Sequence, residues 1–126
     1  MLVDANGRSG SELFASAGAA YFSIVCDLAC IKPQKAYDLN RQASSLEELF
    51  LGWMNDLVWV FSDQDVVCAN INFSYWSPTS YAATLLGEPV SSDRHKANDI
   101  VEAASTEGLK LRAAKGNWSV QVMLLN

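Results

Sequence analysis

Apolar residues recur at three- and four-residue spacing through Ser45–Phe61, SLEELFLGWMNDLVWVF. Leu46, Leu49, Phe50, Trp53, Leu57, Val60 and Phe61 fall on one face, which is the period of a helix with one buried stripe. Met54, Val58 and Trp59 widen that stripe, so the helix is expected to be buried on more than one side. Its polar positions are few: Glu47, Glu48, Asn55 and Asp56. Ser45 followed by Glu48 has capping-box spacing. There the hydroxyl takes a free N–H of the first turn and the carboxylate reaches back to the cap. At about 1.5 Å rise per residue the rod spans roughly 24 Å, enough to cover a small sheet. It reads as a core helix.

The same opening occurs earlier. Ser9 and Glu12 repeat the capping spacing, and Leu13, Phe14, Ala17, Tyr21, Ile24, Val25 and Leu28 give a first helix its face. Pro33 sets the latest possible end, because the residue before a proline avoids helical geometry. Before it, Met1–Asn6 reads as the end of a strand, broken by Gly7. Between the helices, Lys35–Ala43 alternates Tyr37 and Leu39 with Asp38 and Asn40, a half-exposed strand. After the turn Ser62–Asp65, Val66–Ser74 places Val67, Ala69, Ile71 and Phe73 on one side and Asn70, Asn72 and Ser74 on the other. Ser77-Pro78 marks a turn, and Thr79–Leu86 puts Tyr81, Ala83 and Leu85 on one face. Ile100–Ser105 and Leu109–Ala113 are two further strand-like runs. Lys115–Asn117 is a turn before a closing strand with Trp118, Val120, Val122 and Leu124. The expectation is one α+β domain over residues 1–126, its two helices packed on one face of a mostly antiparallel or mixed sheet of about six strands.

Half of the 126 residues are hydrophobic, enough for a core without staples. The net charge of −5 and the scattered Lys and Arg argue against a nucleic-acid binder with a broad basic field, so no direct nucleic-acid contact is expected. Cys26, Cys30 and Cys68 suggest free thiols in a reducing, cytoplasmic setting. Cys26 and Cys30 would be neighbours on the first helix, but Cys68 and the lone His95 do not complete a zinc set. Leu13–Ile31 is the one membrane-like window. Ala, Gly and Ser dilute it, Asp27 interrupts it and basic flanks are missing, so a buried helix is expected rather than a membrane span.

No glycine-rich phosphate loop, nucleophile elbow or metalloprotease helix occurs. A Ser-His-Asp arrangement would have to use His95, and Glu102 and Glu107 would face opposite sides of a strand. The chain is therefore read as a non-enzyme. Chemistry-capable groups are densest in Gly87–Lys96, GEPVSSDRHK, which reads as one long polar loop carrying Glu88, Arg94 and His95.

The order of these landmarks resembles the archease family. The family's Gly followed by a Ser/Thr-x-x-Glu helix start is matched by Gly7–Phe14. Its Leu-Glu-Glu-Leu…Trp-Leu-Asn-Glu-Leu helix is matched by Leu46–Leu57, with Trp53, Asn55 and Leu57 aligned. Its Gly-Glu-Pro…Arg-His motif is matched by Gly87-Glu88-Pro89 and Arg94-His95, and the closing Trp-containing strand by Gly116–Asn126. The resemblance covers the whole chain.

The resemblance implies an accessory protein of the GTP-dependent RNA-splicing ligase that seals tRNA halves, promoting guanylylation of the ligase and its turnover. It also implies a Ca²⁺ or Mg²⁺ site built on carboxylates. One set of those carboxylates comes from an Asp-His-Thr-Ala-Asp stretch near the N-terminus, and another from an Asp just before the C-terminus. Here Met1 falls where the family is already ending its first strand, and Leu125 stands at the position of the C-terminal Asp, or Asn126 after a one-residue shift. The family's Lys-Ala-x-Thr-Tyr-His-x-Leu strand falls on Glu102–Leu109, where Glu102 replaces Lys and Thr106 and Glu107 replace Tyr and His. No cofactor is evident and no metal ligand set is matched. A truncated start with divergence and a paralogue with altered activity both account for this.

The primary reading is a ligase accessory factor in which Glu88, Arg94 and His95 bind a partner or a phosphate. Arg94 offers paired N–H donors and His95 titrates near neutral pH. The competing structural reading has Arg94 and His95 tie the loop to the sheet. The alternative function is a metal-free protein-interaction module on the same scaffold, and a small hydrolase built on His95 is the third.

Overall fold

The computed structural model describes residues 2–25, 28–90 and 103–125. Ser9 opens the first helix, α1 (Gly10–Val25), as its spacing predicts. Its Oγ accepts from the Glu12 N–H at 3.2 Å and its carbonyl accepts from the Leu13 N–H at 2.9 Å. Ser45 caps the second helix, α2 (Leu46–Ser62), accepting from the Glu48 N–H at 3.2 Å. The reciprocal half of this box is displaced by one residue. The Glu48 carboxylate accepts from the N–H of Ser44 at 3.1 Å and from the Ser44 hydroxyl, which hold its pKa below the ordinary value.

The strands are β1 (Leu2–Gly7), β2 (Lys35–Gln42), β3 (Val66–Ser77), β4 (Ser80–Pro89), β5 (Ala103–Ala114) and β6 (Asn117–Leu125). The class is α+β and every pairing is antiparallel, but the strands do not form one sheet. They divide into two sheets of three, ordered β1-β6-β5 and β2-β4-β3. The first joins the two ends of the chain, running from Leu2 opposite Met123 to Gly7 opposite Trp118. Alternation along a strand specifies which face is buried, not which strand lies beside it, so this division was not written in the pattern.

Three local features also differ. The described part of α1 runs to Val25 and Leu28–Cys30 forms a 3₁₀ turn, while Cys26 lies outside the described residues. A tight turn of this kind commonly follows a helix C-terminus. Residues 103–105 of the run expected at 100–105 and the run at 109–113 belong to one strand, β5, whose pairing with β6 lapses between Ser105 and Lys110. On α2, Trp59 is exposed rather than part of the buried stripe.

The core lies where both helices meet the β2-β4-β3 sheet. Phe14 of α1 is its hub, with ring centroids 5.3 Å from Phe50, 5.4 Å from Trp76 and 6.3 Å from each of Trp53, Phe73 and Tyr81. Edge-to-face and offset contacts at such distances suit the quadrupoles of aromatic rings. Trp53 adds direction: its Nε1–H donates to the Phe14 carbonyl at 2.8 Å inside the core. Trp76 meets Trp118 edge-on at 5.6 Å and so links the two sheets. Behind them Val3, Val120, Val122 and Leu124 supply the inner face of the β1-β6-β5 sheet. No helix among the described residues is long and apolar enough to cross a membrane.

Replacing Trp53 by Phe is expected to lower unfolding free energy by about 2 kcal/mol, through a lost buried hydrogen bond and an underfilled site; urea denaturation measures this. Stability should also fall at alkaline pH. Burial pushes the Cys68 thiol from 9.0 up to about 12. Above about pH 9 the unfolded chain gives up that proton while the folded chain keeps it, so stability is full below pH 9 and declines towards 12. Burial raises Tyr21 and Tyr81 as well, with the same sign. Urea midpoints that stay constant on both sides of pH 9 would contradict this.

Candidate functional site

Gly87-Glu88-Pro89 ends β4 instead of opening a loop. Strand β4 runs between β2 and β3, so Gly87 sits with Lys35 on one side and Cys68 on the other. A Cβ on Gly87 would stand 2.1 Å from the Val67 carbonyl oxygen and 2.7 Å from the Cys68 Cα. Both are backbone atoms, which cannot rotate away, so only glycine fits. Next to this close approach β3 carries an extra residue, Ala69, between the pairs Cys68–Gly87 and Asn70–Leu86. Such a bulge bends a strand and increases its twist.

Glu88 lies opposite Val67 and is buried, at 3 % relative exposure. Alternation along β4 puts Tyr81, Ala83 and Leu85 inside, which would leave position 88 on the more open face. The connector before β2 covers that face. The Lys32 N–H donates to Glu88 Oε2 at 2.5 Å. Lys32 precedes Pro33, which favours an extended backbone there and keeps this N–H out of any helix. Two backbone bonds complete the junction: Gln34 N–H to the Gly87 carbonyl at 3.1 Å, and Val90 N–H to the Asp65 carbonyl at 2.7 Å. Asp65 holds a left-handed φ of 52° where the chain leaves α2 for β3. Asp tolerates that region better than most residues.

The other two predicted site residues, Arg94 and His95, lie outside the described residues, as does Glu102. Thr106 and Glu107 belong to the stretch of β5 where pairing with β6 lapses. Leu125 ends β6 opposite Ala103, and Asn126 lies outside the described residues. Among the described residues no three His, Cys, Asp or Glu side chains gather closely enough to hold a metal ion.

A second polar cluster went unread in the sequence. Arg41 on β2 donates from Nε to Asp56 Oδ2 at 3.0 Å and from Nη2 to Asp56 Oδ1 at 2.7 Å, a two-pronged pair. Tyr81, directly opposite Arg41 on β4, donates its hydroxyl to Asp56 Oδ2 at 2.5 Å. The hydrogen bond to Asp56 raises the Arg41 pKa, and burial followed by the same carboxylate raises that of Tyr81. This cluster fastens α2 to the sheet. The only sequence signal was that Asp56 is one of few polar positions on α2.

Comparison with known proteins gives one consistent result. The model of the Archease protein family (MTH1598/TM1083) matches residues 1–124. Protein archease of Aeropyrum pernix is 23% identical over 128 residues, covering 98% of this chain and 89% of that one. Protein archease of Methanosarcina mazei is 23% identical over 124 residues, covering 95% and 85%. The solution structure of Methanobacterium thermoautotrophicum protein 1598 superposes with a TM-score of 0.79 at 17% identity, covering 99% of this chain and 91% of that one. The crystal structure of a Thermotoga maritima archease, called a possible chaperone, gives 0.67 at 13% identity, covering 100% and 90%.

Glu88→Ala should cost about 1 kcal/mol, because the Lys32 N–H loses its acceptor in a partly buried place. Glu88→Gln keeps an acceptor oxygen and should cost less. Thermal denaturation of the two variants separates them; equal stability of Glu88→Ala and the parent would show that this bond contributes nothing.

Proposed function

The chain belongs to the archease family, and on that premise we propose that it is an accessory factor of a GTP-dependent RNA-splicing ligase. In this reading it supports guanylylation and turnover of the ligase and performs no chemistry of its own. The observation that carries the proposal is the family match from residue 1 to 124. The junction at Gly87-Glu88-Pro89 supports it. There the matched motif is a buried, hydrogen-bonded strand end that fixes where the following segment leaves the sheet. That segment carries Arg94 and His95. We assign Arg94 a phosphate or partner carboxylate, and His95 the orientation of a neighbouring group. Glu88 holds the base from which both depart.

The described residues do not fit the carboxylate metal centre that the family resemblance implies. Leu125 offers no oxygen to a hard cation, and no acidic cluster stands ready elsewhere among them. The role proposed here is assigned to protein contacts.

The experiment is multiple-turnover RNA ligation by the host's splicing ligase, with and without this protein, in Mg²⁺ and in Ca²⁺. Added protein is expected to raise the number of rounds completed. Arg94→Ala and His95→Ala are expected to reduce that stimulation while leaving the thermal midpoint unchanged. A large loss of thermal stability in either variant would assign these residues to holding the loop instead. No stimulation from a folded sample, with a ligase that responds to another archease, would favour the metal-free interaction module.

A further inference from the structure

Strands β1, β6 and β5 bring six polar side chains to the outer face of their sheet. Asp4 lies opposite Gln121, which lies opposite Lys110; one step along, Asn6 lies opposite Ser119, which lies opposite Arg112. Alternation puts these two rows on the face away from Val3, Val120 and Val122, which are in the core. Together with Ala5 and Val120 they line an open depression of about 410 Å³.

The charges are distributed unevenly across it. Both cations stand on β5, on alternate residues and so about 6.6 Å apart along the strand. Neither is paired with a carboxylate among the described residues. Asp4 stands on the far strand, where its Oδ1 accepts from Gln121 Nε2 at 3.1 Å. On β6 between them lie only the neutral Ser119 and Gln121, and Asn6 stands beside Asp4 on β1. An anion entering this depression is drawn to the β5 side and away from Asp4. A guanidinium fork and an ammonium together match a phosphate group, whose oxygens take several donors at once. Over the rest of the floor the ligand meets amides, a hydroxyl and a carboxylate. Hydroxyl groups on the ligand suit these, because they can donate to Asp4 and also accept. Two cations in an acidic chain do not hold a nucleic-acid strand, which requires many neutralised phosphates.

The geometry points to a binding site for a phosphomonoester on a polyhydroxylated carrier, the chemistry shared by sugar phosphates and nucleoside monophosphates. Lys110 and Arg112 take the phosphate, and Asp4, Asn6 and Ser119 take the carrier. The site is separate from the Glu88 junction and does not depend on the ligase role.

The test is titration of the full chain with ribose 5-phosphate, followed by amide chemical shifts, with inorganic phosphate and ribose as controls. Saturable binding is expected, with shifts concentrated in β1, β5 and β6, tighter for ribose 5-phosphate than for either control. The Lys110→Gln/Arg112→Gln variant changes only exposed side chains, and its folding is checked by the same spectra. It should weaken binding about tenfold or more, the factor that one lost charge-assisted contact would bring. Asp4→Asn should narrow the preference for ribose 5-phosphate over inorganic phosphate. Absence of saturable binding, shifts centred elsewhere, or unchanged affinity in the double variant would overturn the site. Equal affinity for inorganic phosphate and ribose 5-phosphate would overturn the assignment of a carrier.

Discussion

The bond from the Trp53 indole N–H to the Phe14 carbonyl is the contact on which the rest of the core depends. Hydrophobic burial is non-directional, and the apolar stripes of two helices and a sheet can be stacked in many ways. A buried hydrogen bond between a side chain of α2 and the backbone of α1 fixes one axial position and one rotation for both. Phe14 then projects among Phe50, Phe73, Trp76 and Tyr81, where edge-to-face geometry leaves little freedom to slide. The alternative is costly, because a buried donor without a partner forfeits its hydration and gains nothing in return.

Polar groups repeat this division of labour around the core. Arg41, Asp56 and Tyr81 tie the exposed side of α2 to neighbouring positions on β2 and β4. Arg41 is 41% exposed and Asp56 18%, so water weakens the charge pairing itself. Its contribution is chiefly directional: a planar fork opposite a carboxylate, with a phenol closing the third side. Glu88 does the same for the far end of β4 from inside, where the connector ahead of β2 would otherwise have no fixed height above the sheet. One tie lies in the core, one at the surface and one beneath a connector, and each joins segments far apart in sequence.

How much of this was legible depended on whether the determinant was local. Both helix starts could be read, because Ser9 and Ser45 act on N–H groups three residues away. The faces of α1 and β6 could be read from period alone: Leu13, Phe14, Ala17, Tyr21 and Val25 are buried, as are Val120, Val122 and Leu124. The split into two sheets could not, since β1 finds its partner at the other end of the chain. Trp59 was assigned to the core by hydrophobicity, yet the buried positions already encircle most of α2 and leave Trp59 on the remaining arc. Glu88 was assigned to a loop by polarity, because nothing nearby reveals that Lys32 will arrive to bond it. The Arg41–Asp56–Tyr81 cluster was missed for the same reason.

The same contrast explains how a chain can share a family's fold at 23% identity. The scaffold is specified by distributed features such as helix period, strand alternation, two caps and an aromatic hub. Most substitutions that preserve size and polarity leave these intact. A metal centre, by contrast, is specified by a few oxygen ligands at fixed positions. Where a feature of the matched motif is also needed by the scaffold it persists. Gly87 is held because backbone passes within contact of it, and Glu88 because the Lys32 N–H bonds to it. Packing therefore accounts for Gly87 and Glu88.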